Sequence, residues 1–341
     1  VEQEGLDVRR AAWTGIGAQG VVKGEVRANG DRIAVELRLY EVGQSDQVSL
    51  TRTYEGSVGE LRTFVHRFGN DVLGKLFQRP GAFDTQIAFA RRIGTGRKDV
   101  MVADYDGAGA KRISPNEGVS MLPAFGQRSV WYSRLTPMGM YITDSTANNR
   151  RIIESQGLNM GVSLCEGRVY FSSTRDGNSE IYTSALDGTR IRRLTNDPAI
   201  DVSPTCGPDG RIAFVSNRHG GPQIFVMNQN GGEVQRVTFR GYHNQTPAWC
   251  PDSSRPLLAF TGRDRSLDVF TVNLNTQEYT RITQAQGVNK DPAFSPDCRM
   301  IAFHSSRQGG GIYLSNTSGF NQNRILQGHA ETIRWSARHM D

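Results

Sequence analysis

The chain has 341 residues, 40 Lys and Arg against 34 Asp and Glu, a net charge of +6, 37% hydrophobic and 22% charged residues, 38 Gly and 13 Pro. This is the profile of a turn-rich globular protein with room for about two domains, and it excludes a disordered chain. No apolar run approaches the roughly 18 residues of a membrane span, and Arg is dispersed rather than gathered into a tract, so neither a membrane span nor a nucleic-acid partner is expected.

The opening residues Val1-Glu2-Gln3-Glu4-Gly5 have neither a basic nor an apolar region, so a signal peptide is expected to be absent from this chain. Gly15-Ile16-Gly17-Ala18-Gln19-Gly20 fits the dinucleotide fingerprint, but it precedes a β-rich run at 19–28 instead of following a strand and opening a helix. A turn is expected there. Asn29-Gly30-Asp31 joins that run to Arg32–Tyr40, where Ile33, Val35, Leu37 and Leu39 alternate with polar residues as in a half-buried hairpin strand. A third run, Val48 to Tyr54, leads into Ser57-Val58-Gly59-Glu60, a capping box. Leu61, Phe64, Val65, Phe68, Val72, Leu73 and Leu76 then follow at helical spacing. Pro80-Gly81 ends the pattern. Residues 1–82 therefore read as a small mixed α/β domain in which a helix covers a sheet.

From residue 83 to 341 the text repeats. Short β-type runs carry Phe89, Tyr132, Phe171, Phe214, Phe260 and Phe303, with gaps of 39 to 46 residues, and Pro-Ala-Trp-Cys-Pro-Asp at 247–252 answers Pro-Ala-Phe-Ser-Pro-Asp at 292–297. In the most regular unit the strands fall at 202–206, 211–216 and 223–227, and a fourth ends in Gln235-Arg236-Val237-Thr238. Arg193-Leu194-Thr195 and Arg281-Ile282-Thr283 echo that ending. Four strands in each of six units predict a mainly-β, six-bladed β-propeller. The first unit lacks its inner strand and the C-terminus has a spare one, 332–336, so this strand is expected to close the ring.

Cys165, Cys206, Cys250 and Cys298 sit about one per repeat with no zinc spacing. Equivalent positions in neighbouring blades are expected to exceed the reach of a disulfide, which predicts four free thiols. No Gly-x-Ser-x-Gly elbow and no His-Glu-x-x-His occurs, and no residues remain for a hydrolase domain such as the one gated by propellers of prolyl-oligopeptidase-type serine peptidases. The chain is thus read as no enzyme. A glycan or small ligand seated in the channel is the alternative to a protein partner.

In a propeller the loops between blades share one face with the longer loops between second and third strands, and recognition usually sits on such loops. The loops before the inner strands, Ser120-Met121, Asn159-Met160, Asp201-Val202, His243-Asn244-Gln245-Thr246, Asn289-Lys290-Asp291 and Glu331-Thr332, are expected to line the channel mouth, and His243 and Glu331 among them are candidates for partner binding. Asp201, Asn244 and Asp291 have an alternative role as turn caps. Arg134, Arg175, Arg218, Arg263 and Arg307 follow the aromatic markers on the same face. They either steer an acidic partner, for which Arg218 and Arg307 are the chosen candidates, or bond their own loops.

The unit Pro-x-Trp/Phe-Ser-Pro-Asp-Gly, Ile-Ala-Phe-x-Ser-x-Arg, Asp-Gly-Gly, Arg-Leu-Thr resembles the repeat of the TolB family. So does the junction from Gly81 to Phe89 followed by Val102-Ala103-Asp104-Tyr105-Asp106-Gly107, and the likeness covers essentially the whole chain. The resemblance implies a periplasmic, non-catalytic, monomeric component of the Tol-Pal system of Gram-negative envelopes, acting in outer-membrane integrity and cell division. It implies Pal as partner through the inter-blade loops, where transfer by position picks Asn159, Val162, Asp201, Val202, Asn244, Thr246 and Asp291, TolA through the N-terminal region if that is intact, and bacteriocin translocation segments as borrowers of the Pal surface. Against the family pattern the first helix and strand of the N-terminal domain are expected to be truncated, and Val162–Gly167 departs from the repeat. No cofactor is expected; a divalent cation in the channel is a family possibility for which no ligand cluster is visible.

Overall fold

The computed structural model describes residues 5–43, 47–146, 148–284 and 286–337. The expectation about an export signal rests mainly on residues 1–4, which lie outside this range. The chain divides into two compact units, Val1–Asp84 and Thr85–Asp341.

In the first unit a short helix α1 (Arg10–Thr14) is followed by a three-stranded antiparallel sheet ordered β1 (Gly20–Asn29), β2 (Arg32–Glu41), β3 (Val48–Ser57). The Gly15–Gly20 segment turns from α1 into β1, the reverse of the strand-to-helix order a pyrophosphate site needs. Ile33, Val35, Leu37 and Leu39 of β2 bury one face against Phe64 and Phe68 of helix α2 (Leu61–Phe77). Burying each Phe stabilises the unit by roughly 1.5–3 kcal/mol. The entry to α2 is fixed by the capping box: the Ser57 N–H donates to Glu60 Oε2 at 2.8 Å and the Ser57 hydroxyl at 3.0 Å. Gly56 makes room for this, since a Cβ there would meet Glu60 Oε2 at 2.6 Å and Phe64 at 2.7 Å.

The second unit is mainly β. Four separate four-stranded antiparallel sheets are β11 (Asn159–Cys165) to β14 (Arg192–Arg193), β15 (Asp201–Cys206) to β18 (Gln235–Arg236), β19 (His243–Trp249) to β22 (Tyr279–Arg281), and β23 (Asn289–Phe294) to β26 (Asn323–Gln327). Ahead of them, β7 (Val119–Phe125) to β10 (Arg150–Ile153) form a comparable set. A single parallel bridge, Lys98 to Val119, joins that set to β4 (Gln86–Gly94), β5 (Arg97–Asp104) and β6 (Lys111–Arg112). The last strand, β27 (Glu331–Trp335), pairs antiparallel with β4. The six strands β7, β11, β15, β19, β23 and β27, here called inner strands, pack each against the next.

The aromatic markers Phe89, Tyr132, Phe171, Phe214, Phe260 and Phe303 are all buried. The recurrent Arg-Leu-Thr ending has a shared cause. The hydroxyls of Thr195, Thr238 and Thr283 accept from the N–H groups of Ile181, Ile224 and Val269 at 2.9, 2.9 and 3.0 Å, and donate to buried Glu180, Gln223 and Asp268. Arg193 and Arg281 then pair with Glu180 and Asp268. Each fourth strand of these sheets is only two or three residues long, and this side-chain clasp holds the chain beyond it.

The expectation of four free thiols is wrong. Cys165 is bonded to Cys206 and Cys250 to Cys298, with Cα separations of 6.3 and 5.5 Å. The ends of β11 and β15 converge so that Cys165 and Cys206 meet, and Cys250, just past the end of β19, meets Cys298 in the turn between β23 and the next strand; both pairs lie inside the ~7 Å reach of a disulfide. Both bridges link one sheet to the next.

Candidate functional site

Every inner strand carries the same irregularity. Its register against the second strand slips once, and the residue at the slip has a left-handed backbone: Leu122, Ser203, Thr246, Asp291 and Thr332 at φ 51–57°, with Gly161 at φ 70°. Such a conformation is unfavourable for any side chain, most of all for β-branched Thr, and persists only where the surroundings over-determine it. Here they do. The Leu122 N–H donates to Thr332 Oγ1 at 3.3 Å, the Thr332 N–H to Asp291 Oδ2 at 2.9 Å and the Asp291 N–H to Thr261 Oγ1 at 2.9 Å. The Thr261 and Thr246 hydroxyls lie 2.6 Å apart. The bonds of Thr332 to Asp291 and of Asp291 to Thr261 pass from one sheet to the next.

The bulge sets which residues are presented. Counting back from it, the second residue before the bulge is buried in all six strands: Ser120, Asn159, Asp201, Asn244, Asn289 and Ala330. Asn159 donates to the carbonyls of Met140 and Ser155 at 3.1 and 2.8 Å, and Asn244 to Gln223 and the Arg240 carbonyl, both at 2.8 Å. Asp201 receives Arg218 at 2.8 Å, yet burial pushes its carboxyl above the usual range. Three sequence candidates, Asn159, Asp201 and Asn244, are therefore strand residues that tie adjoining segments together. Val162 is packed in a core with Phe171 and Tyr182, and Asp291 is buried beside Thr332.

Arg218 and Arg307 also face inward. Arg218 lies over the rings of Phe214 and Phe225 at 5.5 and 5.0 Å. Arg307 lies 4.0 Å over Tyr313, bonds Gln286, and is held below the usual guanidinium range by burial. Arg175 repeats the arrangement over Phe171 and Tyr182, and Arg134 pairs with Glu117, whereas Arg263 is exposed. The Ser-x-Arg repeat chiefly clamps loops to aromatic markers.

What the strand starts do present are the residues one and three before the bulge, as the two-residue period of a strand requires. In three neighbouring strands they are apolar: Val119 and Met121, Leu158 and Met160, Ile200 and Val202. Leu158 is 39% and Ile200 50% exposed, and the other four are half-buried. In the other three they are mostly polar: His243 and Gln245, Val288 and Lys290, His329 and Glu331. Tyr242, 61% exposed, adjoins them. The rim is thus apolar on one arc and polar on the other. Val202, His243 and Glu331 were legible as candidates, and Met121 and Met160 as members of the mouth loops; Leu158 and Ile200 were not noticed, although the alternation around Asn159 and Asp201 marks them.

The polar arc holds a compact charge cluster. Glu331 at the start of β27 pairs with Lys98 of β5, lies 3.9 Å from Lys290 of β23 and 3.8 Å from His329. Lys290 also lies 3.6 Å from Asp291. Lys98, Lys290 and His329 hold the Glu331 carboxyl below its usual range against burial. His304 stacks near His329, with ring centroids 5.7 Å apart, and burial beside Lys290 pushes its pKa down to about 4. Thr246 and His243 stand between the arcs, His243 against Gln245 at 3.0 Å. Among the described residues no cluster of His, Cys, Asp and Glu could hold a metal ion, and no helix is long and apolar enough to cross a membrane.

Residues 73–255 and 240–340 match the family described as TolB beta propeller domain, and residues 1–48 match the TolB amino-terminal domain. The chain is 35% identical over 195 residues to the Tol-Pal system protein TolB of Desulfosudis oleivorans, an alignment covering 55% of this chain and 44% of that protein. It is 33% identical over 213 residues to its namesake from Anaeromyxobacter dehalogenans, covering 58% and 46%. These alignments span less than half the length of either relative. Among solved structures, TolB from Acinetobacter baumannii superposes with a TM-score of 0.82 at 24% identity, covering 96% of this chain and 85% of that one. A puromycin hydrolase superposes at 0.51 and 12% identity, with 89% of this chain and 53% of that one covered. These two likenesses concern the fold.

Proposed function

This chain belongs to the TolB family, and from that premise we propose that it is a non-catalytic binding scaffold of the Tol-Pal system that engages Pal through the rim formed by the starts of its inner strands. In this reading residues from 83 onward form six blades around a channel, β27 completes the first blade through its pairing with β4, and residues 1–82 are the amino-terminal domain, the region through which TolA would be engaged. The protein works as a monomer in the periplasm, in outer-membrane integrity and cell division, and bacteriocin translocation segments compete for the same rim. Two disulfides accord with an oxidising compartment.

The observation that carries the reading is the split rim. Apolar anchors ringed by polar groups are the make-up of a protein interface, and Leu158, Met160, Ile200 and Val202 supply them next to a charged arc that fixes orientation. A partner surface of matching polarity would bury those anchors while Lys290 and Glu331 meet polar groups at the edge. Isothermal titration of the chain with Pal, beside a glycan panel, tests it. Binding to Pal that Met160→Asp weakens at least tenfold is expected. Retention of a glycan with no Pal binding would favour a carbohydrate-binding role and discard this one.

A further inference from the structure

The same inner strands end, five residues later, in a different chemistry. The second residue after the bulge is small in five of them, Ala124, Ser163, Thr205, Ala248 and Ala293, and in β27 it is Arg334. The next residue is mostly large and apolar, and includes Trp249, Phe294 and Trp335. The ends of β15, β19, β23 and β27 line a cavity of about 260 Å³ with Thr205, Ala248 and Ala293 around Arg334, and the rings of Trp249, Phe294 and Trp335 as walls. Those walls are fixed: Trp249 donates to the Thr205 carbonyl at 3.0 Å and Trp335 to Thr85 Oγ1 at 2.7 Å. Gly207 keeps the cavity open beside Trp249, since a Cβ there would stand 2.8 Å from the indole.

Arg334 is surrounded by protein and keeps only a part of its surface accessible, towards this cavity. Among the described residues its one hydrogen bond runs from Nη1 to the Ile333 carbonyl at 2.9 Å, and it forms no ion pair. Carboxylates of the neighbouring turns, Asp209, Asp252 and Asp297, are matched by Arg211, Arg255 and Arg299. Burial lowers the affinity of the Arg334 guanidinium for its proton, and Asp291 opposes that only from a distance. A largely desolvated guanidinium with no counter-ion among the described residues is destabilising unless something supplies the missing charge.

We propose that this cavity is a binding site for a small monocarboxylate with an aromatic or branched apolar body, its carboxylate on Arg334 and its body between Trp249, Phe294 and Trp335. A guanidinium fork matches a carboxylate bidentately, one charge answers one charge, and the volume admits a molecule of about amino-acid size. The site lies at the opposite ends of the inner strands from the rim, so the two readings stand or fall separately.

The test titrates N-acetyl-phenylalanine and its uncharged carboxamide into the full chain, followed by calorimetry and by the fluorescence of the wall tryptophans. The acid is expected to bind at least tenfold more tightly than the amide. Arg334→Met should abolish that preference while its melting temperature, without ligand, rises above wild type because the unpaired charge is gone. Arg334→Lys keeps the charge without the fork and should retain a reduced preference. Equal affinity for acid and amide, no binding of the acid at millimolar concentration, or an acid preference that survives in Arg334→Met would each overturn the proposal.

Discussion

The two ends of the inner strands invite comparison. At their starts the repeat is strict in the buried register, with Ser120, Asn159, Asp201, Asn244, Asn289 and Ala330, and variable in the presented register, where Met160 gives way to Lys290 and Glu331. At their ends the repeat is strict in the small residues and broken once, by Arg334. What recurs is buried or small, with Asn159, Asn244 and Asn289 tying adjoining segments together, and what departs from the repeat is what is presented to another molecule. Repetition of a polar residue is evidence for a clasp before it is evidence for a site.

The largest effect should come from breaking a clasp. Asp268 is buried and accepts from Ser266, Arg281, Thr283 and Asn289, and these bonds hold its carboxyl below the usual range against burial. Asp268→Ala leaves the half-buried Arg281 and the fully buried Thr283 and Asn289 side chains without this acceptor, and should cost roughly 1–3 kcal/mol for each of the two buried groups in chemical denaturation. Removing the Cys250–Cys298 bridge, which closes a segment of 48 residues, should cost roughly 2–4 kcal/mol, and reductant should lower the melting temperature of the wild type but not of the double Cys→Ser variant by that route.

A smaller effect belongs to the histidines beside the Lys290–Glu331 charge cluster. His304 is neutral in the folded chain down to pH about 4, whereas the unfolded chain takes up that proton near pH 6.5. The unfolded state thus binds more protons in this window, so stability is full above pH 6.5 and falls as pH drops towards 4, by roughly 2–3 kcal/mol. Lys290, Asp291, His329 and Glu331 all face this ring, and His329 is depressed in the same direction by burial. His304→Asn should flatten the slope measured by denaturation between pH 4.5 and 7; an unchanged slope would assign it to other groups.

Much of this architecture was legible in the chain. The capping box at Ser57, the apolar face of α2, the four-strand unit and the spare strand at 332–336 all follow from local pattern. The disulfides did not follow, because spacing along the chain says nothing of how closely two inner strands approach. The bulges were hidden as well. Residues such as Thr246 and Asp291, each before a Pro, read as plain extended backbone, and the left-handed turn exists only because Thr261 and neighbouring strands hold it. Asn159 was chosen because the family likeness points to that position; the bulge, invisible in the sequence, is what places Leu158 and Met160 in the presented register instead.

The measurement that bears most directly on this account is a paired one on the rim, Pal affinity and melting temperature together. For Met160→Asp combined with Val202→Asp the account predicts at least a tenfold loss of affinity with a melting temperature within a degree or two of wild type. For Asn244→Ala it predicts a lowered melting temperature instead. A double variant that binds Pal as the wild type does, or an Asn244→Ala chain that loses Pal while keeping its stability, would contradict it.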